Sequence, residues 1–517
     1  MMLSKTETVA RLSPWVLFIA LFNLLLHLAF YNTLGFHRDE LLYFSLGQHP
    51  SAGYASVPPF IGLTAWLMIH ILGYSLLAAR IIPILLSGLL VILSASIARE
   101  LHGRAYAQVL TSLAIVAAPF NLRSFFLFMP VCFDIFFWTL IFWLTLKWIN
   151  TKKDKYLILL GLAAGTGMMN KYLVALELLG ILTALLLSPY RTIFAKRAFY
   201  LAICIAFLVF LPNLTWQFSN GLPVLTHMKA LQGSQLVHVS RITFLTDQLL
   251  IGALSVLLTI PGILFLCFGK IMKPYRFMIT AGIVVMLLLV IARGKSYYSL
   301  GLFPLLIAAG GVYWENSLKR KFSRALLPLL IVVVTIPLIP VGLPVLRADK
   351  LARYFAWMKD NLGLGISVRW ETGRYHELPQ DYADMLGWDE IAFQTARGWQ
   401  QIPDKRHAMI YAQNYGQAGA VMVLGKKYGL PEPACFAESF YYWLPRNPPY
   451  EITTLIYIND VMGDDVKNLF GTIRKIGQVD TPMARESGTS VWMCSEPHTS
   501  FNEFWIKRTR MVMSPFE

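Results

Sequence analysis

The sequence of 517 residues is poor in charged side chains, because Asp, Glu, Lys and Arg together make up only 14% of it. A soluble globular domain usually contains about 25%. Hydrophobic residues reach 56%, and the mean hydropathy is +0.54. This deficit of charge, together with many apolar runs of about 20 residues, excludes an ordinary soluble protein. It indicates a polytopic α-helical membrane protein.

Acidic residues are especially scarce, since 29 of them stand against 45 lysines and arginines and the formal net charge is +16. A basic chain could bind nucleic acid. Here, however, the cations fall in short loops between apolar runs, where membrane topology places them. We therefore expect the lipid bilayer, and no nucleic acid, as a partner.

Cysteine is also rare, with five residues in the whole chain. Three of them lie in apolar runs, where they act as small hydrophobic side chains. Cys435 and Cys494 lie in the more polar last third, where free thiols and a disulfide are both open alternatives. No Cys and His spacing resembles a zinc site. We assign no cofactor, and a divalent cation stays an open alternative.

Eleven apolar runs are predicted to span the membrane. They cover residues 14–34, 80–98, 105–121, 130–149, 155–169, 172–188, 198–216, 243–268, 276–292, 297–315 and 324–343. The run 58–73 is shorter and follows two prolines, so we predict a helix that lies at the membrane surface or re-enters it. The first run follows Lys5 and Arg11 without a convincing cleavage site, which indicates an uncleaved span.

Lysine and arginine are concentrated in every second loop, for example in "NTKKDK" and "PYRTIFAKR". The positive-inside rule places these loops in the cytoplasm. The first outer loop, residues 35–79, then faces outward. We predict a membrane core of residues 1–343, followed by an extracytoplasmic mixed α/β domain of residues 344–517. Strand-like runs such as "TTLIYI" and "TSVWMC", and the helix-like run "GQAGAVMVLGKKYGL", indicate that domain.

An acid pair, Asp39 and Glu40, follows the first span in "GFHRDELLYFSLG". Charged residues at a membrane edge are often interfacial anchors, and this alternative stands for Asp39 taken alone. Other outward segments add further polar groups at the same predicted depth. With Arg38, which stands beside the acid pair, they form a predicted binding site for a donor and its phosphate. Its residues are Arg38, Asp134, Lys171, Arg293, Lys295, Tyr297 and Tyr298. An acid such as Asp134 inside an apolar helix is costly, and it therefore indicates a functional site.

This combination suits transfer of a group away from phosphate. Lysine and arginine bind phosphate, and a carboxylate can accept a proton from an incoming hydroxyl. A lipid-phosphate sugar fits as donor, because its tail stays in the bilayer while its head reaches the outer surface. We predict that Asp39, with Glu40 beside it, deprotonates an extracytoplasmic acceptor and that the sugar is transferred with inversion.

The chain resembles bacterial glycosyltransferase family 39, which is related to the dolichyl-phosphate-mannose protein mannosyltransferases and to the lipid A aminoarabinose transferases. The motifs that carry the resemblance are "HRDELLYFSLG", "GYASVPPFIGLTAWL", "PVCFDIFFWTL", "GLAAGTGMMNKYLVALELLG", "LPNLTWQFSNGLPVLTHM", "GKSYYSLGLFPLLIAAGGVYWE" and "YAQNYGQAGAV". The resemblance implies the C-type glycosyltransferase architecture, a polyprenyl-phosphate sugar donor and the bacterial cytoplasmic membrane. Its acceptor is a protein, a lipid or an envelope glycan.

Residue by residue, the resemblance implies that Asp39 is the catalytic acid and Glu40 its neighbour. It also implies that Asp134 is the acid at the head of a span, and it assigns Lys171 and Lys295 to the donor phosphate. The sequence departs from the family before "PPF", where Ser56 and Val57 stand in place of a charged residue, and at "CFAESFYYWLP" in the tail. A polyprenyl-phosphate-sugar flippase and a non-catalytic lipid-phosphate binder are the alternatives. The first of these is disfavoured because no internal repeat is visible.

Overall fold

The computed structural model describes residues 11–234 and 236–513, so the predicted flanking residue Lys5 lies outside it. The chain divides by its contacts into two compact units. The helical unit comprises Met1–Phe30, Arg80–Trp216 and Met228–Leu343, and the mixed unit comprises Tyr31–Ala79, Gln217–His227 and Pro344–Glu517. Residues 35–79, expected as the first outer loop of the membrane core, thus cluster with the C-terminal residues.

Helices are the commonest regular element in both units. They are α1 (Pro14–Phe30), α2 (Arg38–Gln48), α3 (Phe60–Leu72), α4 (Leu76–Glu100), α5 (Ala105–Ala117), α6 (Pro119–Ser124), α7 (Pro130–Thr151), α8 (Lys155–Asn170), α9 (Val174–Leu186), α10 (Arg197–Ser219), α11 (Pro223–Ser234), α12 (Arg241–Gly252), α13 (Val256–Phe268), α14 (Phe277–Ile291), α15 (Phe303–Ser317), α16 (Lys321–Gly342), α17 (Ala348–Leu362), α18 (Gln380–Ala383), α19 (Trp388–Gln400), α20 (Tyr415–Gly419), α21 (Asp464–Lys467) and α22 (Phe501–Met513).

Within the described residues, six helices are long and apolar enough to cross a membrane. They are α4, α7, α10, the segments Lys273–Ile291 and Ser296–Ser317, and α16, and a seventh is added if the bent pair Val174–Leu186 and Pro189–Ala195 forms one span. Four further apolar helices are shorter, namely α1, α3, α5 and α13. The predicted count of eleven spans is therefore not confirmed.

Breaks inside several predicted spans explain the difference. The run 243–268 divides into α12 and α13, and the run 105–121 is interrupted between Ala117 and Pro119. Hydropathy alone does not detect such breaks, because the residues on both sides of them are apolar. The predicted surface helix at 58–73 is present as α3, whereas the predicted loop 217–242 contains the helix α11.

Small residues let two helices of the helical unit approach each other closely. A Cβ atom added to Gly262 on α13 would overlap the carbonyl oxygen of Leu306, and one added to Gly310 on α15 would overlap that of Leu258. In apolar surroundings, where hydrophobic burial does not favour one helix contact over another, such close backbone packing holds helices together.

The mixed unit contains, among the described residues, a four-stranded sheet with the order β1-β2-β4-β3. The strands are β1 (Ala408–Ala412), β2 (Thr454–Asn459), β3 (Phe470–Gln478) and β4 (Ser490–Pro497). β1 pairs with β2 in parallel, and the other two pairs are antiparallel. The predicted strands "TTLIYI" and "TSVWMC" are confirmed as β2 and β4.

Helix α19 packs against β2, β3 and β4 and contributes the buried side chains Trp388, Ile391 and Trp399 to the core. The helix-like run after Tyr415 is confirmed, and it ends at Gly429, whose φ of +68° favours glycine. Cys435 and Cys494 are both buried free thiols, so the disulfide alternative is not realised.

The approach of α13 to α15 predicts a sensitive position. Gly310→Val would insert a branched side chain against the backbone of α13 and lower the free energy of unfolding by about 1–3 kcal/mol. The thermal unfolding of both variants in detergent would measure this effect. Gly282→Val is the control, because a Cβ atom there meets nothing within 4 Å. Equal stability of the two variants would contradict the packing role of Gly310.

Candidate active site

The first turn of α2 carries the predicted acid pair, and a reciprocal cap fixes where this helix begins. His37 is the N-cap residue, and its imidazole Nδ1 accepts a hydrogen bond of 3.1 Å from the Asp39 backbone N–H. In return, the backbone N–H of His37 donates to Oε2 of Glu40 at 2.9 Å. Glu40 is fully buried. Its carboxylate therefore stabilises the first turn of α2 and so sets the direction of Asp39.

Asp39 is partly exposed, and one of its oxygens is held by a residue from the C-terminal part of the chain. The hydroxyl of Tyr415 donates to Oδ1 of Asp39 at 2.8 Å. The guanidinium of Arg38 lies 4.1 Å from the centroid of the same tyrosine ring. Burial, reinforced by the charge of Asp39, raises the pKa of Tyr415 far above its ordinary value. The hydroxyl therefore keeps its proton and remains a donor to the carboxylate.

Tyr415 is itself placed by a cap at the start of α20. The side chain of Asn414 accepts hydrogen bonds from the backbone N–H groups of Gly416 and Gln417, and the Gln417 side chain completes a capping box. A Cβ atom at Gly416 would lie 2.8 Å from Cγ of Arg38, and one at Gly419 would lie 2.9 Å from Cβ of Leu41. Only glycine lets α20 rest directly on α2.

A third contact to the first turn of α2 comes from Asp384. Its backbone carbonyl accepts a hydrogen bond of 3.0 Å from the Arg38 N–H and one of 2.7 Å from the indole of Trp388. Its carboxylate lies 4.0 Å from the His37 imidazole and accepts two hydrogen bonds from Arg485, at 3.1 and 3.3 Å. Burial raises the pKa of Asp384, and the neighbouring His37, Arg485 and Arg38 side chains oppose that rise only in part.

The sequence analysis missed Tyr415, Asp384 and Arg485 as site residues. It identified "GQAGAVMVLGKKYGL" as a helix-like run, and the Asn414 cap lies at the start of this run. It could not connect this segment to Asp39, because 376 residues separate Tyr415 from Asp39. The only local signal was a tyrosine at the first position of a glycine-rich helix.

Glu438 is a further carboxylate of the mixed unit that the sequence analysis did not single out. Its backbone has φ of +54°, a conformation that is strained for a residue with a Cβ atom. Its buried Oε2 has no hydrogen-bond partner among the described residues. The negative charge of Glu438 also contributes to the raised pKa of Tyr415.

A second cluster of predicted residues lies in the helical unit. The ammonium of Lys171 lies 3.8 Å from Oδ2 of Asp134, which is almost fully buried near the start of α7. The same ammonium lies 4.8 Å from the ring centroid of Tyr298 and 5.1 Å from that of Tyr297. Lys295 immediately precedes the 3-10 segment Ser296–Leu302, which carries both tyrosines. Lys171 therefore lies close to Asp134 and to both tyrosines, although these residues are far apart in the sequence.

Neighbouring hydrogen bonds fix the turn on which Lys171 sits. The Asn170 amide donates to the carbonyl of Pro130 at 2.9 Å, and the Tyr172 hydroxyl donates to Asn213 at 2.7 Å. Glu177, on the following helix α9, is fully buried, and neither of its carboxylate oxygens has a hydrogen-bond partner among the described residues. The hydrogen bonds of Asn170 and Tyr172 therefore fix the turn that carries Lys171.

Arg293 is placed in other surroundings. Its backbone has φ of +52°, and its guanidinium donates to the carbonyl of Val237 at 3.1 Å. With Arg241 it lines an open cleft of about 330 Å³. The predicted site residues thus fall into separate groups. Arg38, Asp39 and Glu40 belong to the mixed unit, and the remaining ones belong to the helical unit.

Among the residues that the structure describes, no group of three His, Cys, Asp or Glu side chains is arranged to hold a metal ion. The two clusters present carboxylates, cations and hydroxyls. A partly exposed carboxylate held by a phenol can accept a proton. A lysine between a carboxylate and two aromatic rings can bind an anionic oxygen.

Residues 56–216 match the family model of dolichyl-phosphate-mannose-protein mannosyltransferase. This range includes Asp134 and Lys171 but neither Asp39 nor Lys295. No curated protein matches the chain by sequence.

Solved structures share the fold over nearly the whole chain. ArnT from Cupriavidus metallidurans bound to undecaprenyl phosphate has 15% identity and a TM-score of 0.66, covering 93% of this chain and 98% of that one. The apo state of the same protein has 14% identity and a TM-score of 0.62, covering 93% and 97%. The Archaeoglobus fulgidus oligosaccharyltransferase complex with Zn and sulfate has 14% identity, covers 86% and 67%, and reaches a TM-score of only 0.48.

The family model and the ArnT structures confirm the predicted resemblance and the predicted fold class, a helical membrane protein with a small C-terminal sheet domain. The proteins that they represent are glycosyltransferases. The chain therefore has the fold of ArnT, and its residues 56–216 are similar to the mannosyltransferase family.

Proposed function

We propose that the protein transfers a sugar from a polyprenyl-phosphate donor to an acceptor outside the cytoplasmic membrane, with inversion at the anomeric carbon. The observation that carries this proposal is the partly exposed carboxylate of Asp39, which is fixed by the cap of α2 and by the hydroxyl of Tyr415. A base that is already oriented needs little reorganisation when the acceptor arrives.

In the proposed reaction, Asp39 removes the proton from an acceptor hydroxyl while the acceptor oxygen attacks the anomeric carbon. The bond between that carbon and the phosphate oxygen breaks, and the polyprenyl phosphate leaves with the electron pair. Glu40 acts through the helix start, as a positioning residue, because its carboxylate already accepts the His37 N–H. Arg38 and Tyr415 hold Asp39 in its orientation.

Lys171 and Lys295 are proposed to bind the donor phosphate, with Tyr297 and Tyr298 beside them. Asp134 keeps the Lys171 ammonium in position at 3.8 Å. The related structure with bound undecaprenyl phosphate supports a polyprenyl lipid as the donor. Arg293 is not assigned to the donor phosphate in this proposal, because it lines a cleft with Arg241.

The location is proposed to be the bacterial cytoplasmic membrane, with the mixed unit outside. This orientation rests on the distribution of lysine and arginine between alternate loops. The acceptor is then a protein, a lipid or a glycan of the cell envelope.

The test uses purified protein in nanodiscs, a panel of radiolabelled polyprenyl-phosphate monosaccharides, and a crude envelope extract as acceptor. Transfer of label to the extract would support the proposal and identify the donor sugar. Donor binding without transfer would overturn it. A liposome assay for movement of the labelled lipid between leaflets would then test the flippase alternative.

The Asp39→Asn variant should keep donor binding but lose transfer by at least about 100-fold, because the amide cannot accept the proton. Initial rates and donor binding, measured on the same preparation, would separate the two effects. Asp360→Asn, at an exposed position in the same unit, is the control and should transfer normally. A normal rate for Asp39→Asn would remove Asp39 as the base.

The Tyr415→Phe variant should lower kcat by about 10-fold, because Asp39 loses a hydrogen-bond donor. The apparent affinity for the donor should not change, since Tyr415 is not proposed to contact the phosphate. Steady-state kinetics with the donor from the panel would show this division between kcat and KM. Tyr450→Phe, at an exposed tyrosine, is the matched control. A change in donor affinity alone would contradict the positioning role.

The Lys295→Ala variant should weaken donor binding by about 10- to 100-fold, because a charge-assisted contact to phosphate is lost. Equilibrium binding of the labelled donor would measure it. Lys319→Ala, in an exposed loop, should bind the donor like the unmodified protein. Unchanged affinity in Lys295→Ala would exclude Lys295 from the phosphate site.

A further inference from the structure

An exposed apolar surface lies at the end of α17 and in the segment that follows it. It consists of Trp357, Leu362, Leu364, Ile366 and Tyr375, whose side chains are between 42% and 63% exposed. Five large apolar side chains so close in sequence and so exposed are unusual on a surface that only water contacts. We call these five residues the α17 surface.

The opposite face of α17 already packs inside the mixed unit. Leu351, Phe355 and Met358 are buried, and they recur at the spacing of one helix face. Trp357 lies on the other face, which it shares with the exposed Lys350 and Arg353. One face of α17 therefore packs in the core of the mixed unit, and Trp357 does not contribute to that core.

Leu362, Leu364, Ile366 and Tyr375 are grouped at the end of α17, and Trp357 lies between one and two helical turns before that end. Gly363 ends α17 with φ of +66°, and the N–H of Leu364 donates a hydrogen bond of 3.2 Å to the carbonyl of Met358. The ammonium of Lys359 lies 5.7 Å from the ring centroid of Tyr375. The chain therefore turns back at Gly363 and brings Tyr375 beside the end of the helix.

Cationic side chains accompany this surface. Six exposed ones lie in the same stretch, namely Arg347, Lys350, Arg353, Lys359, Arg369 and Arg374. Four exposed acids, Asp349, Asp360, Glu371 and Glu377, reduce the net charge to +2. Tryptophan and tyrosine together with lysine and arginine are the residues that favour the boundary between lipid headgroups and acyl chains.

Chain connectivity adds an independent reason for a membrane. α16 is long and apolar enough to cross a bilayer and ends at Gly342, and α17 begins six residues later at Ala348. Six residues extend at most about 20 Å. The start of α17 is thus tethered close to the end of a membrane-crossing helix.

We propose that the α17 surface lies on the bilayer, with its apolar side chains among the upper acyl chains and its cations at the lipid phosphates. This contact would hold the mixed unit against the membrane whether or not the proposed transfer reaction is correct. The partner is the lipid bilayer itself, and neither a second copy of the chain nor another protein is required.

The test places a fluorescent nitrobenzoxadiazole group at Ile366→Cys in the full-length protein in nanodiscs. Cys204 and Cys267 are replaced by alanine in this background, because the other three cysteines are buried. The matched control carries the label at Val461→Cys, an exposed apolar position of the same unit. Two quenchers are used separately, a phospholipid with a spin label near its headgroup and iodide in the buffer.

The spin-labelled lipid should quench the label at position 366 at least twofold more than the label at position 461, and iodide should do the reverse. Strong iodide quenching at position 366 with no effect of the lipid would overturn the proposal, because the surface would then face water. Protection of position 366 from both quenchers would also overturn it, in favour of a protein that covers the surface.

Discussion

The candidate base depends on how the first turn of α2 is fixed. Asp39 reaches its position only because His37 and Glu40 cap the helix from within, and because Tyr415 and Asp384 hold the same turn from the C-terminal part of the chain. A capping interaction contributes about 1 kcal/mol, and a hydrogen bond to a charged group about 1.5–3 kcal/mol. Several such contacts on one helical turn leave the carboxylate little freedom.

In the proposed reaction, that arrangement gives the mixed unit a direct part in the chemistry. Residues 31–79 and 344–513 form one compact body, in which glycines at 416 and 419 allow α20 to lie directly on α2. A larger residue at either position would move Tyr415 away from Asp39. The same small residues therefore serve both the packing of the unit and the orientation of its candidate base.

In the helical unit, charged side chains lie in apolar surroundings. A lone charge there costs several kcal/mol, so lysines and acids persist in such helices only when they are paired or solvated. Lys171 has Asp134 and two tyrosine rings around it, and hydrogen bonds from Asn170 and Tyr172 hold its turn. A cation kept in this way is available to an anionic ligand such as a phosphate.

The sequence by itself determined the membrane class, the position of Asp39 after the first apolar run, and the strands and helix of the C-terminal part. These follow from composition, from hydropathy and from local patterns such as the Asn414 cap and Gly429, which depend only on neighbouring residues. Tertiary structure decided the rest. Two predicted spans are interrupted at positions that hydropathy does not mark, and Arg293 lies beside Arg241. Glu40 is buried in a helix cap, and Tyr415 contacts Asp39 across 376 residues of sequence. Contacts over that distance arise from the packing of whole elements, which no local pattern of residues encodes.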